Sequence, residues 1–165
     1  FVHRTFNGLD CFYFLKSLQH IYRDQGGLQT VFEHAYSVSG DMKEAIIHFR
    51  EVFFAHADPG RTSKHVADVS KGASAKRLNM FLRWMVRRDK RGVDFGLWKE
   101  IPKHALYLPL DVHTGTVARK LGLLKRTQND WKAVEEVTSR LREFDPEDPV
   151  CYDFALFGLG SFEGF

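Results

Sequence analysis

At 165 residues the chain is long enough to bury a core without covalent staples, and none is suggested: Cys11 and Cys151 stand alone. There is no C-x-x-C pair, there are too few thiolates for an iron–sulfur cluster, and the eight histidines lack metal-ligand spacing, so no cofactor or metal is expected. No stretch approaches the ~20 apolar residues of a membrane span and no cleavable leader is present, which predicts a soluble protein with no membrane partner in a reducing, cytoplasmic setting.

Apolar residues recur at helical spacing almost throughout, and no segment alternates with period two. The prediction is an all-α protein, one domain over 1–165 with possible lobes at 1–60 and 61–165. Phe1 is not Met, and the chain opens directly on aromatic helical sequence, which predicts further residues upstream.

Phe12, Leu15, Leu18 and Tyr22 mark a first helix that Gly26-Gly27 ends. Leu28, Val31, Phe32 and Tyr36 carry a second to Gly40, and Asp41 caps a third through Ala45, Ile46, Phe49, Val52 and Phe53, closed by Asp58-Pro59-Gly60. Residues Arg61 to Gly72 are polar and read as a connector. Ser74 is expected to cap a helix running to about Lys90, with Gly92 as its stop. Asp94 to Pro102 predicts a short helical turn anchored by Phe95, Leu97 and Trp98, and Leu106 to Leu110 is extended. Asp111 then heads a helix whose buried side is Val112, Val117, Leu121 and Leu124, with Gly122 near its end. Asn129 or Asp130 caps a helix through Leu141. Asp148 as N-cap and Pro149 at the first position open the last helix, through Tyr152, Phe154 and Phe157, which ends in Gly158 and Gly160.

The net charge of +3 is unevenly spread. From Lys71 to Arg91 there are eight Lys or Arg against Asp89 alone, so the rest of the chain is net negative. At 100° per residue Lys76, Arg83, Arg87 and Lys90 fall within about 60° of one another, a basic stripe opposite Leu78, Phe81, Leu82 and Met85. With Met80 and Trp84 flanking it, such a stripe suits a phosphodiester backbone and an unstacked base, although most charged helix faces are only solvated. Lys76 stands in the first turn, where the helix dipole opposes positive charge and favours the neutral, nucleophilic amine that Schiff-base chemistry needs. Asp111 is the converse, a carboxylate held ionised at a helix N-terminus. Most such aspartates only cap. His113 could orient a carboxylate or meet a phosphate. Serine-hydrolase and P-loop signatures are absent.

Two resemblances follow from these residues. Leu110-Asp111-Val112-His113 with Val117-Ala118-Arg119-Lys120-Leu121-Gly122-Leu123 resembles the V-D-T-H…R-V…R-L-G-L segment of the endonuclease III and helix-hairpin-helix DNA glycosylase superfamily, with Asp111 at the position of its catalytic aspartate. Gly72-Ala73-Ser74-Ala75-Lys76 is similar in spacing to the hairpin's G-x-G-x-K, with Ser74 in place of the second glycine. Lys76 precedes Asp111 by 35 residues, a long separation that makes the divergent archaeal 8-oxoguanine glycosylases the nearer analogy. Over essentially the whole chain, the runs Lys76 to Met85, Gly92 to Trp98 and Tyr152 to Gly160 resemble a bacterial family of conserved proteins of unknown function, whose members carry a further N-terminal helical segment.

The superfamily resemblance implies a glycosylase-like helical bundle that takes damaged or abasic DNA as its partner. A flipped nucleotide would meet Asp111 and Lys76 as catalytic residues, and Arg77, Arg83, Trp84, Arg87, Lys90, His113 and Arg119 would contact DNA. The alternative is a non-catalytic helical module that uses the same scaffold to bind nucleic acid or a protein.

Overall fold

The computed structural model describes residues 2–90, 92–163 and 165. Phe1 and Arg91, both used in the sequence reading, lie outside them. The architecture is all-α: α1 Gly8–Asp24, α2 Leu28–Ser39, α3 Met42–Phe54, α4 Lys76–Val86, α5 Val112–Lys120, α6 Trp131–Phe144 and α7 Asp153–Phe162. Short 3₁₀ turns lie at Gly60–His65, Val69–Lys71, Lys103–Ala105 and Pro149–Tyr152, and the strands β1 (Val2–His3) and β2 (Phe6–Asn7) pair antiparallel. The chain divides into two compact units, Phe1–Asp68 and Val69–Phe165. No helix among the described residues is long and apolar enough to cross a membrane.

In the first unit, Asn7 caps α1 through a reciprocal pair with Asp10: the Asn7 side chain accepts from the Asp10 N–H, and Asp10 accepts from the Asn7 N–H. Asp10 is completely buried and also accepts from Thr62 Oγ1 at 2.8 Å, with Arg61 and His65 within ion-pair distance, which fastens α1 to the 3₁₀ turn. Helices α2 and α3 meet through Phe32 and Phe49, stacked at 4.8 Å, with Ile46 and Phe53 beside them. Gly40 takes the left-handed conformation that ends α2, and Asp41 caps α3 through the Lys43 N–H, as their positions predict. The apolar residues that mark α1 do not form its buried side. Phe12, Leu15 and Tyr22 are exposed, while Asp10, Ser17 and Ile21 face inward.

In the second unit α5 packs on α7, close enough that a Cβ on Gly160 would sit 3.0 Å from the His113 carbonyl oxygen. The extended segment before α5 buries Leu106, Leu108 and Leu110, and the Leu108 N–H donates to Thr138 Oγ1 of α6. Asp130 caps α6 through the Ala133 N–H.

Several boundaries differ from the sequence expectation. Helix α4 starts at Lys76 and stops at Val86, with Ala75 rather than Ser74 at the cap position and no side-chain cap. Residues Asp94 to Pro102 form no helix. The N–H groups of Phe95 and Trp98 instead donate to the Trp84 and Met85 carbonyls, orphaned where α4 ends. Trp98 is buried there, whereas Phe95 and Leu97 are exposed. Val112 on α5 and Leu121 just after it are exposed, leaving Val117 on the helix and Leu124 beyond its end as the buried residues of the expected set. Asp148 caps nothing, because its carboxylate is taken by Arg87, and Pro149 opens a 3₁₀ turn ahead of α7. Helix α7 runs through Gly158 and Gly160 to Phe162.

Gly96 has φ +57°, and a Cβ there would lie 2.6 Å from Arg88 Cβ. Gly96→Ala should therefore lower stability by about 2 kcal/mol. A urea midpoint equal to that of the parent protein would contradict this close approach.

Candidate active site

Lys76 is the first residue of α4, and the residue before it holds a rare conformation. Ala75, buried, has φ +49° and ψ +35°, the left-handed region that costs a side-chain-bearing residue about 1 kcal/mol or more. The preceding loop is pinned on both sides: Gly72 N–H donates to the Val69 carbonyl, and the Gly72 carbonyl accepts from the Trp131 N–H at 2.9 Å. The start of α4 is thus fixed against α6, and the direction in which Lys76 leaves the backbone is fixed with it.

Asp111 caps α5, its Oδ1 accepting from the Thr114 N–H at 2.8 Å. Its other oxygen, Oδ2, lies 2.9 Å from Lys76 Nζ. The lysine side chain is 42% exposed and the aspartate side chain 13%, so the pair has one wet and one sheltered end. Burial pushes the Asp111 carboxyl up, but the hydrogen bond from Lys76, the Thr114 N–H and the lysine's charge together hold it below the usual aspartate range. Behind Asp111, Asn129 donates to its carbonyl oxygen and accepts from Arg119, whose Nε donates to the Arg126 carbonyl. Gly115 gives Asn129 room for this, since a Cβ there would lie 2.8 Å from Asn129 Oδ1.

Lys76 and Asp111 open onto a cleft of about 200 Å³ whose other walls include Met80, Trp84, Pro109, Phe154 and Phe157. A cavity of roughly 150 Å³ holds a benzene ring, so the space suits one ring-sized group among aromatic faces. Arg83, Thr114 and Asp153 complete the polar lining. Arg83 is 1% exposed. It bonds Asp153, reaches Asp94 Oδ2 through Nε and Nη2 at 3.3 and 3.1 Å, and stacks its guanidinium 4.0 Å from the Phe154 ring centroid. Arg87 joins the same group, donating to Asp94 Oδ2 at 2.6 Å and to both oxygens of Asp148. Burial raises Asp153 to about 6, with the nearby Asp111 charge adding to the rise and Arg83 and Lys76 opposing it.

The solvent-facing stripe expected of Lys76, Arg83, Arg87 and Lys90 does not form. Helix α4 ends before Arg87, and Arg83 and Arg87 turn inward to carboxylates distant in sequence. Arg119 likewise spends its guanidinium on Arg126 and Asn129. Arg77 and Lys90 are exposed, Trp84 is half-buried in the cleft wall, and His113 is exposed with Nδ1 3.3 Å from the Gly160 carbonyl oxygen. Lys76, Trp84, Arg83 and Asp111 therefore converge on one cleft, while Arg77, Arg87, Lys90, His113 and Arg119 do not line it.

The model of a family described as proteins of unknown function, DUF2400, matches residues 1–162. The chain belongs to that family. No curated protein and no solved structure matches it.

Asp153 and Phe154 were not among the expected site residues, although both lie in the run Tyr152 to Gly160 that carries the family likeness. The only signal for Asp153 was an acid placed among apolar residues at the start of the last helix. Nothing in the spacing said that a guanidinium 70 residues earlier would meet it.

Lys76→Met should raise the titration midpoints of both Asp111 and Asp153, because the lysine lowers each of them. Carboxyl-carbon NMR titration of parent and variant checks this, with Asp153 in the parent titrating near 6. The linked effects on stability have opposite signs. The contribution of Asp111 is full above the ordinary aspartate range and is lost as pH falls through its lowered value. That of Asp153 is full below the ordinary range and is lost as pH rises through about 6.

Proposed function

We propose that the protein acts on damaged or abasic DNA as a base-excision glycosylase with abasic-site lyase chemistry, through the Lys76–Asp111 pair. The observation that carries this reading is the 2.9 Å contact between Lys76 Nζ and Asp111 Oδ2 at the mouth of a ring-sized aromatic cleft. A lyase of this kind needs an amine and a carboxylate converging beside space for an extruded nucleotide, and unstacking that nucleotide costs a few kcal/mol. The strained Ala75 before Lys76 adds support, since strain of this type concentrates where a side chain must be held in one direction.

In this reading the damaged base leaves with the electron pair of the glycosidic bond, and the Asp111 carboxylate stabilises the positive charge that develops on the sugar. The Lys76 amine, its proton passed to Asp111, bonds to C1′; the C1′–O4′ bond then breaks, O4′ keeps the electron pair and takes up that proton, and the nitrogen lone pair forms an iminium from which the strand can be cleaved. Attack by water instead would give base removal alone. Trp84, Phe154 and Phe157 offer faces on which the extruded group can rest. The exposed Arg77 and Lys90 are the expected phosphate contacts, and Arg83, Arg87 and Arg119 hold the scaffold.

A second reading is favoured by the cap itself. Asp111 bonds the Thr114 N–H and closes an ion pair, both of which a purely structural aspartate does. Under it the chain is a non-catalytic helical module that binds nucleic acid or a protein.

Borohydride trapping on duplex DNA carrying one abasic site separates the two. The expected result is a covalent adduct that Lys76→Ala abolishes and that Asp111→Asn slows by about 100-fold. No adduct, or one that survives Lys76→Ala, would sink the lyase reading. Equal affinity for intact and abasic duplexes would then favour the binding module.

A further inference from the structure

Asp153 is a third ionisable group in the cleft, and neither the expected motif nor the Lys76–Asp111 pair accounts for it. We propose that Asp153 is the base that removes the C2′ proton during strand cleavage, once Lys76 has joined the abasic sugar as an iminium; this rests on the lyase reading above.

Both oxygens of Asp111 are already committed, Oδ1 to the Thr114 N–H and Oδ2 to Lys76, and its lowered pKa makes it a weak base. Asp153 differs in both respects: its Oδ2 is bonded to Arg83, while its Oδ1 accepts no hydrogen bond among the described residues. It lines the same cleft, its side chain retains 12% exposure, and its pKa near 6 leaves it ionised at neutral pH yet ready to take a proton. The groups facing it are Arg83 and Lys76 from α4 and Asp111 at the head of α5, with Asp94 behind Arg83. When Asp153 is protonated, Arg83 is not left as a bare buried charge, because Asp94 still holds its Nε and Nη2.

The step balances without redox change. The proton moves from C2′ to the Asp153 carboxylate, and the C–H electron pair forms the C2′=C3′ bond. The C3′–O bond breaks, and the 3′ phosphate departs with its electron pair.

The test measures adduct formation and strand cleavage separately on a duplex carrying one abasic site. Asp153→Asn, whose amide oxygen can still accept from Arg83, should still form the borohydride adduct, which also shows that it is folded, and should cleave about 100-fold more slowly for the same amount of adduct. The parent's cleavage rate should rise with pH to a plateau through a midpoint near 6, a limb that the variant lacks. Cleavage by Asp153→Asn within threefold of the parent would overturn the proposal. So would a parent rate that is flat between about pH 4.5 and 7.5 while the adduct forms, a measurement that needs no variant. Absence of a parent adduct would instead overturn the lyase reading and this inference with it.

Discussion

The buried carboxylate of Asp94 governs much of the second unit. One of its oxygens accepts from Arg83 and from Arg87, so two guanidinium groups from α4 and the residue after it are drawn to a point on the segment following α4. Each arginine then has a second partner: Arg83 takes Asp153, the first residue of α7, and Arg87 takes Asp148, just before the 3₁₀ turn that leads into it. Charges this deeply buried are costly unless each is paired, and leaving one unpaired costs about 3–5 kcal/mol. Losing a charge from the set therefore costs the unit stability, and forming it places α7 against α4.

That placement builds the cleft. Lys76 and Arg83 are two turns apart on one face of α4, so the element that positions the lysine also carries the arginine that holds Asp153 and stacks on Phe154. On the other side Asp111 is held by its own helix start and by Asn129, which Arg119 holds in turn. The polar groups of the cleft are thus set by contacts behind them rather than by the cleft itself. Rigid support of this kind is what a reactive pair requires, and here it comes from ion pairs, a helix cap and one left-handed residue.

The helices whose ends are chemically marked were legible in the sequence. Gly40, Asp41 and Asp130 each end or cap a helix where the residue type alone says they should. What was not legible depends on partners distant along the chain. Arg83 and Arg87 have the spacing of a solvated stripe, and their pairing with Asp94, Asp148 and Asp153 turns them inward. The 94–102 segment has the apolar content of a helical turn, but its N–H groups serve the open end of α4. Ala75 lies at φ +49°, a conformation its residue type does not announce. The convergence of Lys76 with Asp111 was implied by the motif resemblance alone, and its geometry needed the fold. The same holds for α1, where a buried Asp10 and Ser17 displaced the expected apolar face.

The pair also explains how one carboxylate can serve two stages of the proposed reaction. Two of the causes that lower Asp111 come from Lys76, its hydrogen bond and its charge, while the largest single influence is burial and acts upward. An aspartate with a charged lysine beside it stays ionised. As the lysine becomes the neutral amine that attacks carbon, those two influences fade while burial stays, so the carboxyl becomes a better acceptor for the proton that the lysine gives up. Formation of the iminium restores a positive charge at the same nitrogen, which favours the carboxylate again. In the proposed reaction the ion pair would thus double as a proton relay whose direction follows the charge on a single atom, leaving Asp153 for the transfer from carbon.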